Sequence, residues 1–334
     1  VSTVYTNTGN QNDLDRIMRL TRAVLNTPNL SQNFKKSEID IVKREVYFKE
    51  RNAPSRWLNR LALQKLYGSK FGRAETPVSD LNKLTVNAAM DFHHKHYTPS
   101  NSILIISGNI NESLAQKKLS QYFGDTIKTK RIEDKWLKQR PNKGLESITK
   151  ISTNRLMDDQ LSFAKFFRFN DLSDILGMQA SFFIASDIYN SHLNNVLYLD
   201  GNTAQSFSQS SYIAVNGDIE YTASLIPFEG FTLEEAYENL KIAIKNLESI
   251  SITHKEIETA RSKNVAYTKS LSQSPRAYLD FFQNLGSDGL PPVSPTEFSR
   301  MIARAPVEDI LKIISAFAAD SPSAVILAKL DSQL

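Results

Sequence analysis

Lys255-Glu256-Ile257-Glu258-Thr259-Ala260-Arg261 opens a helix, and a fixed order of landmarks follows it: Ser274-Pro275-Arg276, Leu285-Gly286, Pro306-Val307-Glu308-Asp309-Ile310 and Ser321-Pro322-Ser323-Ala324-Val325-Ile326-Leu327. The same order runs earlier through Ser37-Glu38-Ile39-Asp40-Ile41-Val42-Lys43, Pro54-Ser55-Arg56, Tyr67-Gly68, Leu84-Thr85-Val86 and Ser100-Asn101-Ser102-Ile103-Leu104-Ile105-Ile106. Val86 stands as far before Leu104 as Val307 stands before Val325. Repeated order at matched spacing predicts two copies of one structural unit. The second copy has a long stretch ahead of its helix, counted from Gly144, and the first has little. The comparison predicts that roughly 70 residues needed by the first unit are missing from the front.

The 334 residues suit two domains of ordinary size. The expected division is a first domain over 1–130, a linker over 131–145 that is polar and contains Pro141, and a second domain over 146–334. With 41% hydrophobic and 23% charged residues, each part can bury a core. The net charge of +4 is scattered, without a basic stripe carrying interleaved aromatics, so nucleic acid is not an expected partner. The absence of cysteine excludes disulfides, thiolate zinc sites and thiol catalysis. No apolar run approaches the length of about 18 residues that a membrane span requires.

Periodicity predicts helices over Asp13–Leu25, from Glu38 with Ser37 as N-cap, through Trp57 to Tyr67, over Leu84–His96 and over Asn111–Phe123. Val1–Thr6 reads as β-rich and Ser102–Gly108 as a buried strand. In the second part, strands are predicted at Ser147–Ser152, Gln160–Phe169 and Ala324–Lys329, with a hairpin of Gln205–Asn216 and Glu220–Pro227 turning at Asn216-Gly217. Helices are predicted at Asp174–Ser191 and Thr232–Ser249, and Thr253-x-x-Glu256 is a capping box for a further one. Mixed strands, hairpins and helices predict an α+β fold rather than a doubly wound parallel sheet.

The chemistry-bearing candidates are few. Glu38 and Glu45 lie two helical turns apart on one face, with Val42 between them. Lys35, Lys36, Lys43 and Arg44 surround them, so a solvated charged rim is the plainer reading. His93, His94 and His96 form a tract in which Lys95 repels a cation, and an exposed basic helix end accounts for it. His192 and His254 are isolated. Neither a Gly-x-Ser-x-Gly nucleophile turn nor a Gly-rich phosphate loop occurs.

Taken together, Ser37-Glu38, Lys43-Arg44-Glu45-Val46, Glu50-x-Asn52-x-Pro54, Leu66-Tyr67-Gly68, Leu84-Thr85, Tyr97-Thr98-Pro99-Ser100-Asn101 and Ile105-Ile106-Ser107-Gly108-Asn109-Ile110 resemble the M16 zinc metallopeptidases (pitrilysin, insulin-degrading enzyme and the mitochondrial processing peptidase). The resemblance implies two similar α+β domains of the LuxS/metallohydrolase-like type, each a mainly antiparallel sheet packed by helices, the first incomplete at its front. It implies zinc held by an inverted His-x-x-Glu-His motif and a later glutamate. The matching positions here are Glu45 as the third zinc ligand and Glu38 as its supporting acid. The histidine motif is absent from the chain and would fall ahead of Val1. Active relatives also carry an Arg and a Tyr seven residues apart that steady the substrate carbonyl; Tyr198 and Gln205 occupy those positions here. The expectation is a member that binds no zinc by itself. It would receive a peptide or unfolded polypeptide, as one half of a clamshell with an M16-type partner subunit or a second copy. Two alternatives are a zinc endopeptidase whose motif lies upstream of residue 1 and an assembly subunit of core-protein type. The resemblance implies a periplasmic or mitochondrial setting without choosing between them.

Overall fold

The computed structural model describes residues 3–26, 28, 30, 32–68, 81–125, 141, 146–168, 174–200, 203–213, 217–287 and 289–331. Most of the expected linker lies outside the described residues, as do Val1, Asn216 and Phe169. The amino-terminal part carries helices α1 (Leu14–Ala23), α2 (Gln32–Asn52), α3 (Pro54–Tyr67), α4 (Val86–His96) and α5 (Glu112–Phe123). The carboxy-terminal part runs β1 (Glu146–Thr153), β2 (Gln160–Arg168), α6 (Ile175–Asn194), β3 (Ala204–Ile213), β4 (Asp218–Pro227), α7 (Leu233–Asn246), α8 (His254–Ser270), α9 (Pro275–Ser287), α10 (Pro295–Arg304), α11 (Val307–Ala318) and β5 (Ser323–Leu330).

Local chemistry sets these boundaries. The side chains of Thr85, Asn111, Asp174, Thr232, Thr253 and Ser294 each accept a backbone N–H at the first turn of α4, α5, α6, α7, α8 and α10. Glu235, Glu256 and Glu297 complete reciprocal capping boxes. Pro54 opens α3 because its missing N–H is no loss at a first helical position, while its ring ends α2 at Asn52. Ser37 is not the cap of α2. That helix already runs from Gln32, so Ser37 lies inside it.

The strands form a single five-stranded sheet among the described residues, in the order β1-β5-β2-β4-β3. β1 is parallel to β5, and the other three pairings are antiparallel. The fold is thus α+β with an antiparallel-rich sheet, as expected. The hairpin closes through Gly217 at φ +76, a conformation that glycine adopts without a Cβ clash. β2 is buried on both faces. Leu161, Phe163 and Phe167 join the main core with α6, α7 and α11, while Ala164 and Phe166 form a second core with Leu58, Ala62 and Leu66 of α3. A helix from the amino-terminal part therefore covers the sheet's outer face.

The strand expected at Ser102–Gly108 does not form. The backbone is extended at Ser102, but among the described residues no neighbouring strand pairs with this segment, and Ile103 and Leu104 remain 63% and 38% exposed. A β-rich sequence lowers its energy as a strand only where a partner takes up its backbone groups. Likewise the described residues of Val1–Thr6 carry no strand, and Val4 and Tyr5 are exposed.

One cation lies inside the main core. Lys165 on β2 is 6% exposed, and its ammonium donates to the Ala319 carbonyl at 2.8 Å beyond the end of α11. Burial depresses its pKa to about 8. Because the folded value lies below the unfolded one, the folded state holds this proton less tightly. The cost of burying the charge is full below about pH 8 and fades as pH rises towards the unfolded value of about 10.4. The stability difference between Lys165→Met and the native chain is therefore expected to move by about 1–3 kcal/mol in favour of the native chain between neutral pH and about pH 10. Urea denaturation of both proteins at each pH checks this, and a difference independent of pH would refute it.

Candidate functional site

Glu38 and Glu45 both project from α2, as their spacing requires, and both are exposed. Glu45 accepts an ion pair from Lys49 at 2.7 Å one turn on, and Lys43 approaches Asp40 at 3.9 Å. Ile39 and Val46 are half-buried and Val42 is exposed, so the face expected to be buried is only partly covered. Ile41 and Phe48, one turn either side of Glu45, are exposed as well. Glu45 thus stands as a charged residue within an open apolar stripe.

A resident zinc needs three protein ligands and a polar group orienting each imidazole. Among the described residues no three His, Asp or Glu side chains converge. The donor set around Glu45 is one carboxylate already engaged by a lysine, so the described residues do not fit a zinc site. The histidine tract does other work. His93 Nε2 lies 2.9 Å from the Val24 carbonyl and its ring stacks on Tyr97 at 4.4 Å, while His96 stacks on Phe92 at 4.3 Å. His93 thereby ties α4 to the end of α1. His192 lies 3.0 Å from the Glu256 carboxylate and joins α6 to α8.

Tyr198 lies within an irregular end of α6, and Gln205 lies just beyond it. The helix widens into a π-type turn at Asn195–Leu199, closed by the Asp200 N–H donating to the Asn195 carbonyl at 2.8 Å. Leu197 is buried, and its carbonyl accepts from the Thr203 N–H, which fixes the entry into β3. Tyr198 is left 44% exposed, and Gln205 is exposed at the start of the edge strand. Neither carries a positive charge, so neither supplies the electrostatic stabilisation that an arginine gives a developing oxyanion. The π-type turn has no sequence signal, since Asn195-Val196-Leu197-Tyr198-Leu199 reads as ordinary helix.

An open groove of about 590 Å³ lies between α1 and α4, lined among others by Tyr5, Val24, Leu30, Phe92, His93 and Tyr97. Tyr5 and Tyr97 share a hydroxyl–hydroxyl hydrogen bond of 2.7 Å across it, and burial first, then Tyr97, pushes the Tyr5 pKa up to about 12. The groove is apolar and holds no nucleophile or paired acids.

A sequence model of the family described as "Peptidase M16 inactive domain" matches residues 83–264, more than half of the chain. No curated protein matches in sequence. A protease from Helicobacter pylori shares the fold with a TM-score of 0.76 at 15% identity, over 96% of this chain and 77% of that one. A peptidase M16 inactive domain from Pseudomonas fluorescens superposes with a TM-score of 0.73 at 14% identity, over 96% and 76%. The ferredoxin protease FusC, in complex with Arabidopsis ferredoxin, gives 0.63 at 16% identity, over 96% of this chain but 37% of that one.

Proposed function

We propose, because the chain belongs to the M16 peptidase family, that it is a non-catalytic member which receives an extended polypeptide or pairs with a catalytic M16-type subunit. The observation that carries this reading is the state of Glu45: the residue at the family's third-ligand position is exposed and ion-paired to Lys49, with no converging donors among the described residues. Uncharged Tyr198 and Gln205 at the positions that steady the carbonyl support it. A polypeptide partner is suggested by the fold shared with FusC, a protease captured with a ferredoxin. Division into domains over 1–130 and 146–334, with a linker between, belongs to this proposal. So does the duplication read from the sequence.

The spacing of Glu38 and Glu45 favours a second reading, in which α2 lends one acid to a zinc site completed by histidines this chain does not contain. Metal analysis and a cleavage assay separate the two. The chain is expected to hold less than stoichiometric zinc and to leave fluorescently labelled, reduced casein uncut while raising its anisotropy. Glu45→Gln should bind the same probe equally well. Chelator-sensitive hydrolysis of the casein would overturn the non-catalytic reading, and unchanged anisotropy would overturn polypeptide binding.

A further inference from the structure

α3 meets the sheet through more than apolar contacts. Leu58, Ala62 and Leu66 rest on Ala164, Phe166, Ala324, Ile326 and Ala328, and the Ser162 hydroxyl donates to the Asn59 side chain. At the carboxyl end of the helix, the Tyr67 ring stands edge-on to Phe166 at 6.0 Å, and its hydroxyl donates to the carboxyl of Glu220 on β4. Glu220 is cross-strand partner to Phe166 on one side and Tyr212 on the other, so its side chain shares the face that α3 covers. This places an acid at the rim of an apolar seam between the amino-terminal helices and the carboxy-terminal sheet.

We infer that Glu220, set in this seam under Tyr67, is a pH-sensitive latch: α3 is held against the sheet most firmly while the acid is protonated, and the cost of burying its carboxylate, which the Tyr67 hydroxyl only partly offsets, loosens the helix as Glu220 ionises. Among the described residues, the titratable and charged groups around it are the Tyr67 hydroxyl on α3, Asp218 on β4, Arg168 on β2 and Tyr212 on β3. Arg168 is already engaged, as its guanidinium donates to Asp218. Among the described residues the nearest cation is thus engaged elsewhere, and desolvation dominates. Burial raises its pKa to about 7, against a smaller lowering by the Tyr67 hydroxyl.

The sign follows from linkage. An acid whose docked value lies above its free value of about 4.3 binds its proton more tightly when docked. The docked state is therefore favoured at low pH. It weakens as pH rises between the free and docked values, and the full penalty is present above about pH 7. α3 follows directly from α2 through Ala53, so release of this seam would also free the helix that carries Glu38 and Glu45.

Amide hydrogen exchange of α3, corrected for intrinsic rates and referred to the central helix α6, tests the latch in the whole chain. Protection over residues 58–66 is expected to fall about tenfold or more between about pH 5 and about pH 8. Glu220→Gln, which is neutral at every pH, should hold α3 protected with a flat profile. A flat profile in the native chain, or an equal pH dependence in Glu220→Gln, would overturn the inference. Should that variant not fold, Tyr67→Phe still decides. Loss of the hydroxyl removes a group that favours the carboxylate, so the midpoint must move to higher pH, and an unmoved midpoint refutes the latch.

Discussion

Phe317→Ala is expected to cost about 3–5 kcal/mol of folding stability. Phe317 is fully buried near the end of α11, where three elements converge on it. Its ring stacks on Tyr189 of α6 at 4.2 Å, meets Tyr221 of β4 edge-on at 4.8 Å and approaches Phe167 of β2 at 5.5 Å. Tyr189 is anchored by its hydroxyl on Ser211 at 2.6 Å, and Tyr221 donates to Gln209 at 2.9 Å. Neither phenol can move into the vacated space without breaking a bond to β3, so the cavity stays open and its full cost is felt. Phe317→Leu keeps most of the volume and should lose markedly less. Urea denaturation followed by circular dichroism measures both. A loss under about 1 kcal/mol for the alanine variant would mean that the aromatic cluster repacks freely, contrary to the anchoring argument.

Where side chains close their own local hydrogen bonds, the sequence already declares the structure. Thr253-x-x-Glu256 and Asn111 mark helix starts within a residue, because the cap side chain and the backbone N–H it accepts lie three positions apart. β2 was legible for a related reason, since its apolar run is needed on both faces. Failure came where the outcome depends on distant partners. Ser102–Gly108 has the composition of a buried strand, but strand formation requires a neighbour that no local pattern supplies. The start of α2 was misplaced because Ser37 looks like a cap, while nothing in Gln32–Lys36 forbids helix. The functional candidates were the least legible of all. Glu45 can be placed by spacing, and the fold sets its carboxylate beside Lys49 one turn on. From the sequence Glu220 is only the first residue of the hairpin's second predicted strand. What makes it interesting is α3, which arrives from a part of the chain far away in sequence.

Arg261 makes the same point for stability, and Arg261→Ala is the second large effect expected, at about 2–4 kcal/mol. From the sequence it is one more charge on an amphipathic helix. In the structure its side chain is nearly buried between α8 and the end of α10. One nitrogen donates to the carbonyls of Ile302 and Ala305 at 2.9 Å and of Ala303 at 3.3 Å, while Nε pairs with Glu258 at 2.9 Å. These carbonyls are among the groups that a helix end leaves without intrahelical partners. The cation also matches the negative end of the α10 dipole. α10 carries Phe298 and Ile302 into the main core, so loosening its end loosens the packing against α6. Truncation strips several acceptors at once, and water reaches them poorly. Lysine retains the charge but not the planar fork, so Arg261→Lys should recover about half of the loss. Chemical denaturation at neutral pH gives the order native, then lysine, then alanine. If alanine and lysine prove equally mild, within about 0.5 kcal/mol of the native chain, the carbonyls are satisfied by solvent and the arginine is ornamental to the fold.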